Sequence, residues 1–253
     1  MAQSNSKLTI ISMAVIASAM ATLLHEGLGH GVTAWLRGDI PTELTSNHLS
    51  DLHLDHWLEA GGTLVNLFVG GVSLWISHSL VTRANLRYFC WILAALNLLP
   101  AAGYFLFSGV MGIGDWQAVI NGLPNQVLLR IIMSLFGAGL YYYFVRLLAI
   151  AVRPFSPERS DYNTVGRLPY YAACIFSCMA GALDPLGLEL FFTSTVAAAF
   201  GGSSGLMWAD SLFPRNHLGP VLCITRQPAW WIAAAAIGLP YIIFIGRGIK
   251  IPH

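Results

Sequence analysis

Charge is what this sequence has least of. Asp, Glu, Lys and Arg make up only 10% of its 253 residues, against 56% hydrophobic, whereas a water-soluble globular chain carries about 25% charge. The deficit excludes an ordinary soluble domain and points to the lipid bilayer as solvent. Acidic and basic residues nearly cancel, to a net charge of +1, so there is no basic footprint for nucleic acid. Cysteine is scarce too. Cys90, Cys174, Cys178 and Cys223 contain no C-x-x-C pair and read as small apolar packing residues rather than a disulfide framework. Long polar loops are also missing, which excludes an attached soluble recognition domain and confines any activity to the membrane or its surface.

What is present is a series of apolar runs along the whole chain, read as one integral-membrane domain, 1–253. A spanning helix needs roughly 20 mostly apolar residues. Six segments qualify: 8–36, 57–81, 86–109, 126–152, 168–200 and 228–246. The expected fold is therefore all-α and polytopic, with about six transmembrane helices. Lys7 ahead of an apolar stretch and the small residues of "ASAMA" (17–21) imitate a signal peptide. The apolar run continues beyond them, and it reads as the first spanning helix. The first span is over-long, which implies a tilted or interfacial end. In the fifth, Pro185 breaks or kinks the helix, which suggests two pieces. Lys7, Arg83, Arg87, Arg146, Arg153, Arg159, Arg167, Arg247 and Lys250 outnumber Arg37, Arg130, Arg215 and Arg226 on the other side. That bias predicts a multi-pass cell-membrane protein, of the bacterial inner-membrane kind, with both termini in the cytoplasm.

Ionisable side chains at membrane depth are expensive and read as functional. "LLHEGLGHGV" (23–32) places His25, Glu26 and His30 in the first span. On a regular α-helix, at about 100° per residue, positions 25 and 30 point about 140° apart, a poor chelate. A π-bulge would bring i and i+5 onto one face, and Gly27 and Gly29 lower its backbone cost. Alternatively Glu26 and His30, four apart, form the ligand pair with His25 turned aside. A third reading has no metal, only a polar cluster satisfied by neighbouring helices. A zinc site needs a third protein ligand and an open position. Asp115, after the glycine-rich turn in "GVMGIGDWQ", is the first candidate, although an ordinary turn or capping role is open to it. The loop "NHLSDLHLDHW" competes with His48, Asp51, His53, Asp55 and His56, and equally describes a solvated interfacial loop. Asn66 and Asn97 can glue helices by hydrogen bonding or present an amide donor to a reacting carbonyl. The small residues Ala60, Gly61, Gly62, Gly70 and Gly71 allow close backbone approach to the second span.

Taken in order, "HEGLGH" (25–30), "AGGTLVN" (60–66) and "NLLP" (97–100) resemble the core of the site-2 protease family of zinc intramembrane metalloproteases. That family carries H-E-x-x-H on one helix, an A-G-P-x-x-N-like segment on the next, and N-x-x-P followed by L-D-G on a third. The resemblance covers 8–116 as a three-helix catalytic core and leaves 117–253 as accessory helices with a lid-like loop. Here the first motif has one inserted residue, Gly62 stands where proline is usual, and no acid follows "NLLP" until Asp115. The family places its zinc towards the cytoplasm, whereas the charge bias puts the end of the first span outside. The resemblance implies a Zn2+ ion held by His25, His30 and Asp115, with Glu26 as general base and Asn66 and Asn97 orienting or polarising the scissile carbonyl. It implies an intramembrane endopeptidase whose partner is a membrane protein or peptide, with no oligomeric state specified. A zinc hydrolase of a lipid or small amide, and a non-catalytic pseudoprotease that binds metal or membrane helices, are the competing readings.

In the second half, Asp184 and Glu189 sit in the fifth span. They are expected to be protonated, to pair with an arginine, or to line a water path, with Arg215 and His217 as candidate partners. The Gly-, Pro- and Ser-rich stretch 201–228 is expected to fold back as a lid.

Overall fold

The structure, a computed structural model, describes residues 4–51, 56–214 and 220–251. His53, Asp55, Arg215 and His217, and the side chains of Asp51 and His56, lie outside the described residues. The chain is a helix bundle. Helix α1 (Lys7–Thr22) runs without a break into a π-helical segment (Leu23–His30) and then α2 (Gly31–Arg37). The long helices α3 (His56–Ser79), α4 (Ala84–Met111) and α6 (Gln126–Ala151) follow, with the short α5 (Asp115–Ile120) before α6. The C-terminal part contains α7 (Leu168–Gly181), α8 (Leu188–Leu190), a second π-helix (Phe191–Gly202) and α9 (Pro228–Pro240).

Among the described residues, five helices are long and apolar enough to cross a membrane: Lys7–Arg37, Trp57–Ser79, Ala84–Met111, Gln126–Ala151 and Pro228–Ile245. The outer face of α6 exposes Val127, Leu128, Ile131, Ile132, Leu135 and Phe136, a contiguous apolar stripe that water would not tolerate and lipid would. Helix α4 is the enclosed centre. Its Tyr88 and Trp91 are fully buried and still satisfy their polar atoms, Tyr88 donating to Val165 O (2.6 Å) and Trp91 Nε1 to Leu148 O (3.0 Å). Acyl chains are as apolar as leucine, so close packing rather than water exclusion must hold such helices together. Glycines provide it: a Cβ on Gly137 of α6 would lie 2.5 Å from Leu106 N of α4.

The segment 168–200 forms two pieces, as Pro185 suggested. Asp184 and Pro185 fall in a turn completed by Gly187 at φ 85°, and the chain doubles back. Tyr170 donates to Phe200 O and Cys174 to Ala199 O, while Gly181 packs on Thr195, which is an antiparallel hairpin. Pro185 thus separates two short pieces, because no helical N–H exists there to continue the ladder.

Ser6 N bonds Ile224 O and Leu222 N bonds Pro154 O, and Asn85 holds Thr225 through both its amide groups. The beginning of the chain, the α3–α4 turn, the segment after α6 and residues 222–225 therefore share one end of the bundle. At the other end, β1 (Pro41–Leu44) pairs antiparallel with β2 (Leu49–Asp51) and with β3 (Ile249–Lys250). Ser6 and strand β3 thus lie at opposite ends of the bundle. The sheet is a small addition to a mostly helical fold. Two residues of β3 carry no readable period, and only their proximity to β1 makes them a strand.

Among the described residues, Asp184 is held by the β1–β2 turn and by its own loop. Its buried carboxylate accepts from Asn47 Nδ2 (2.8 Å) and from Leu186 N (3.0 Å), with His48 Nδ1 at 3.7 Å. It ties the β1–β2 turn to the hairpin, and Thr195 donates to Asn47 Oδ1 from the second limb. Residues 205–212 pack away from the sheet, where Asp210 accepts from Arg167 Nη2 through both carboxylate oxygens and Tyr162 donates to Leu206 O. Replacing Asp184 by Ala leaves the half-buried Asn47 amide unpaired and should cost ~1 kcal/mol, read as a lowered midpoint of thermal unfolding in detergent. An unchanged midpoint would remove Asp184 from the ties that hold the fold.

Candidate metal centre

The π-helix Leu23–His30 covers the whole histidine segment. Its wider turn brings positions five apart onto one face, and the His25 and His30 rings meet edge to face with centroids 4.9 Å apart. Two glycine features make this register possible. A Cβ on Gly29 would lie 2.5 Å from Gly62 Cα, so the π-segment touches α3 backbone to backbone. A Cβ on Gly62 would come within 2.6 Å of His25 Nε2 and 2.7 Å of His30 Nε2. Gly62 therefore leaves open the space where the two imidazoles converge. The alternative in which His25 turns aside is not the arrangement found.

Asp115 reaches the same place from another helix. Helix α4 runs on through Pro100 to Met111 and ends on Gly112 at φ 70°, and Gly114 at φ 87° reverses the chain. Both values favour glycine. Arg130 holds the freed carbonyls of Gly109 (3.0 Å) and Val110 (2.7 Å), and Trp116 anchors α5 by donating to Thr63 Oγ1 and stacking on Phe105. Asp115 Oδ2 then lies 3.2 Å from His25 Nε2 and 4.0 Å from His30 Nε2. Glu26 Oε2 is 3.9 Å from His30 Nε2. Although burial pushes the Asp115 carboxyl up, the two adjacent imidazoles outweigh it and hold the group below the ordinary carboxylate value, so it stands ready as an anion.

The donors fit a metal ion. Zinc–nitrogen bonds of about 2.0–2.1 Å in a tetrahedron put donor atoms about 3.3 Å apart, close to the His25–Asp115 spacing. Asp115 Oδ2 is buried without a hydrogen-bond partner, because its approach to His25 misses the alignment a hydrogen bond requires. His30 Nδ1 lies 2.8 Å from Leu58 O. A carbonyl can only accept, so the proton sits on Nδ1 and the Nε2 lone pair points into the cluster. His25 Nδ1 lies 3.2 Å from Asn66 Nδ2, and Asn66 Oδ1 is buried without a partner. Turning the carboxamide by 180° lets Oδ1 accept from an Nδ1 proton, which both satisfies that oxygen and frees His25 Nε2 for a cation.

Three-residue groups with donors within 4.8 Å of one another are His25–Glu26–His30 and His30–Glu59–Asp115. Glu59, in the first turn of α3, was missed in the sequence. Its signal was an acid one turn ahead of Gly62 in a span that otherwise has none. His48 joins neither group and sits against Asp184 instead. Asn97 does not come to the site. Its Nδ2 donates to Leu93 O (2.7 Å) in its own helix and its Cβ faces Gly70 of α3, a helix-packing position. Glu189 accepts from Thr193 Oγ1 on its backbone carbonyl and belongs to neither group.

Two adjoining cavities reach the cluster. A small one of about 120 Å³ is lined by His25, Glu26, Asn66 and Tyr104. A larger one of about 770 Å³ takes in His30, Glu59 and Asp115, with an apolar wall that includes Leu106, Phe107 and Val110. The first limb of this wall is α4 and the second is the π-helix Phe191–Gly202.

No family model, curated protein or solved structure matches the chain. The site therefore has to be read from its own geometry.

Substituting Gly62 by Ala should wedge the two imidazoles apart and weaken zinc affinity by ~10–100-fold, measured as zinc bound per chain across a chelator series. Gly71→Ala, where a Cβ meets nothing within 4 Å, should leave it unchanged. Equal affinities in the two variants would sink the geometric role given to Gly62.

Proposed function

We propose that the protein is a zinc-dependent intramembrane endopeptidase, a divergent relative of the site-2 protease family, which hydrolyses a peptide bond in or near a transmembrane segment of another membrane protein. One observation supports it above the rest: the π-helical register gathers His25, His30 and Asp115 around one point with the Glu26 carboxylate beside them. His25, His30 and Asp115 would hold the ion, and Glu59 lies close enough to add a further oxygen. When bound, zinc supplies a polarised water whose pKa falls towards about 7.

The remaining chemistry belongs to the chain. Glu26 accepts the proton of the attacking water as its oxygen bonds to the scissile carbonyl carbon, and returns that proton to the amide nitrogen as the C–N bond breaks. The products are a carboxylate and an amine. Asn66 fixes the tautomer and plane of His25 rather than touching substrate. Backbone groups of a substrate helix are already paired, so a local stretch must unwind before its carbonyl can be attacked. The apolar wall of the larger cavity suits the side chains of such a stretch, and the membrane location follows from the apolar helices.

Purified wild type should bind about one zinc per chain, and His25→Ala and Asp115→Ala should lose it. Glu26→Gln should keep the metal but cleave fluorescein-labelled casein ~10²–10⁴-fold more slowly. Zinc-free wild type would favour the pseudoprotease reading. A zinc-loaded protein that cleaves a fluorogenic fatty-acid amide but not casein would favour the lipid hydrolase.

A further inference from the structure

Peptide hydrolysis through a tetrahedral intermediate requires a hydrogen-bond donor aimed at the oxygen that gains charge. Of the two asparagines, Asn97 donates to Leu93 O and lines neither cavity, whereas Asn66 lines the smaller one with its carboxamide turned to the His25 ring. Tyr104 brings a further donor to the cluster. It lies on α4 one turn after Pro100 and lines both cavities at their junction. Its ring stacks on His25, with centroids 4.8 Å apart and planes 11° from parallel. The stack holds the phenol in a fixed relation to the imidazole on which the cluster is built.

The Tyr104 ring is half-buried, and among the described residues no protein group accepts its hydroxyl proton. Glu26 lines both cavities with Tyr104, and Asp115 lines the larger one, which puts the phenol at the cluster. A phenol with an unspent O–H, anchored by its ring and facing a cavity that contains a general base, is equipped to donate to a reacting oxygen.

We propose that the Tyr104 hydroxyl donates a hydrogen bond to the oxyanion of the tetrahedral intermediate and is a catalytic residue of this site. The inference rests on the endopeptidase reading above. The phenol keeps its proton throughout: the bond strengthens as the carbonyl oxygen becomes negative and weakens when the C–N bond breaks, and no proton leaves Tyr104.

Tyr104→Phe keeps the ring on His25 and removes only the donor. The zinc-loaded wild type and variant are compared in three ways: zinc per chain, casein turnover, and calorimetric binding of a phosphinic Leu-Leu-Ala tripeptide against the parent amide. The phosphinic group carries a tetrahedral anionic oxygen and the amide does not. The expected result is unchanged zinc, unchanged KM, kcat lower by ~10²–10³-fold, and weaker binding of the phosphinic peptide alone. Wild-type-like kcat and phosphinic affinity in Tyr104→Phe, with active zinc-loaded wild type beside it, would overturn the role of the hydroxyl and leave the protease reading standing. A loss of zinc in Tyr104→Phe would make the residue a support for His25 and overturn the inference. Wild type that binds no zinc and cleaves no casein would bring down the protease reading and this inference with it.

Discussion

The structure turns on one backbone contact, the approach of Gly29 to Gly61 and Gly62. The π-helical register of Leu23–His30 has fewer well-aligned backbone hydrogen bonds than an α-helix, and nothing in its local residues repays that cost by itself. Contact with α3 does. With no side chain at Gly29, Gly61 or Gly62, the two backbones lie against each other, and the wider turn gains packing where a regular helix would present a clash. The same absence of side chains leaves the space into which His25 and His30 point. Packing and chemistry are therefore one constraint here: what lets the helices touch also lets the imidazoles meet.

Around that contact the bundle solves a membrane problem. Polar atoms at depth are costly unless paired, and several of the buried polar side chains are committed to neighbouring elements. Asp184 serves Asn47 and Leu186, Tyr88 and Trp91 bond carbonyls of neighbouring elements, and Arg130 closes the end of α4. Two of the buried side-chain atoms without a hydrogen-bond partner among the described residues, Asp115 Oδ2 and Asn66 Oδ1, lie beside the two histidines. The Asp115 oxygen is 3.2 Å from His25 Nε2, a spacing that suits two donors on one cation.

How far the sequence could be read depended on the range of the interaction. The π-register was legible because its cause is local: two histidines five apart, with glycines between them, cannot chelate from a regular helix. The break at Pro185 was legible for the same reason, since a missing N–H is a property of one residue. Asp115 was found by elimination, as the first acid after "NLLP". Glu59 and Tyr104 were not found, because neither carries a motif and each matters only through what lies opposite. Asn97 misled, since an asparagine that bonds its own helix and one that faces a substrate look alike in a sequence. The strand β3 was invisible at two residues, and with it went the placement of the C-terminus.

The sequence by itself determined the solvent, the helical class and the chemistry on offer. A chain only 10% charged with five long apolar helices among its described residues suits lipid better than water, and His, Glu and Asp set the repertoire of donors. Tertiary structure decided which donors meet. Doubling back at Asp184–Pro185, the reversal at Gly112–Gly114 and the glycine contact of the π-segment with α3 are settled by distant surfaces that either fit or clash. Those fits bring Asp115 within 3.2 Å of His25 across some ninety residues of chain, and hold Asn97 away from the same point. Residue type sets what a side chain can do, and packing sets what it faces.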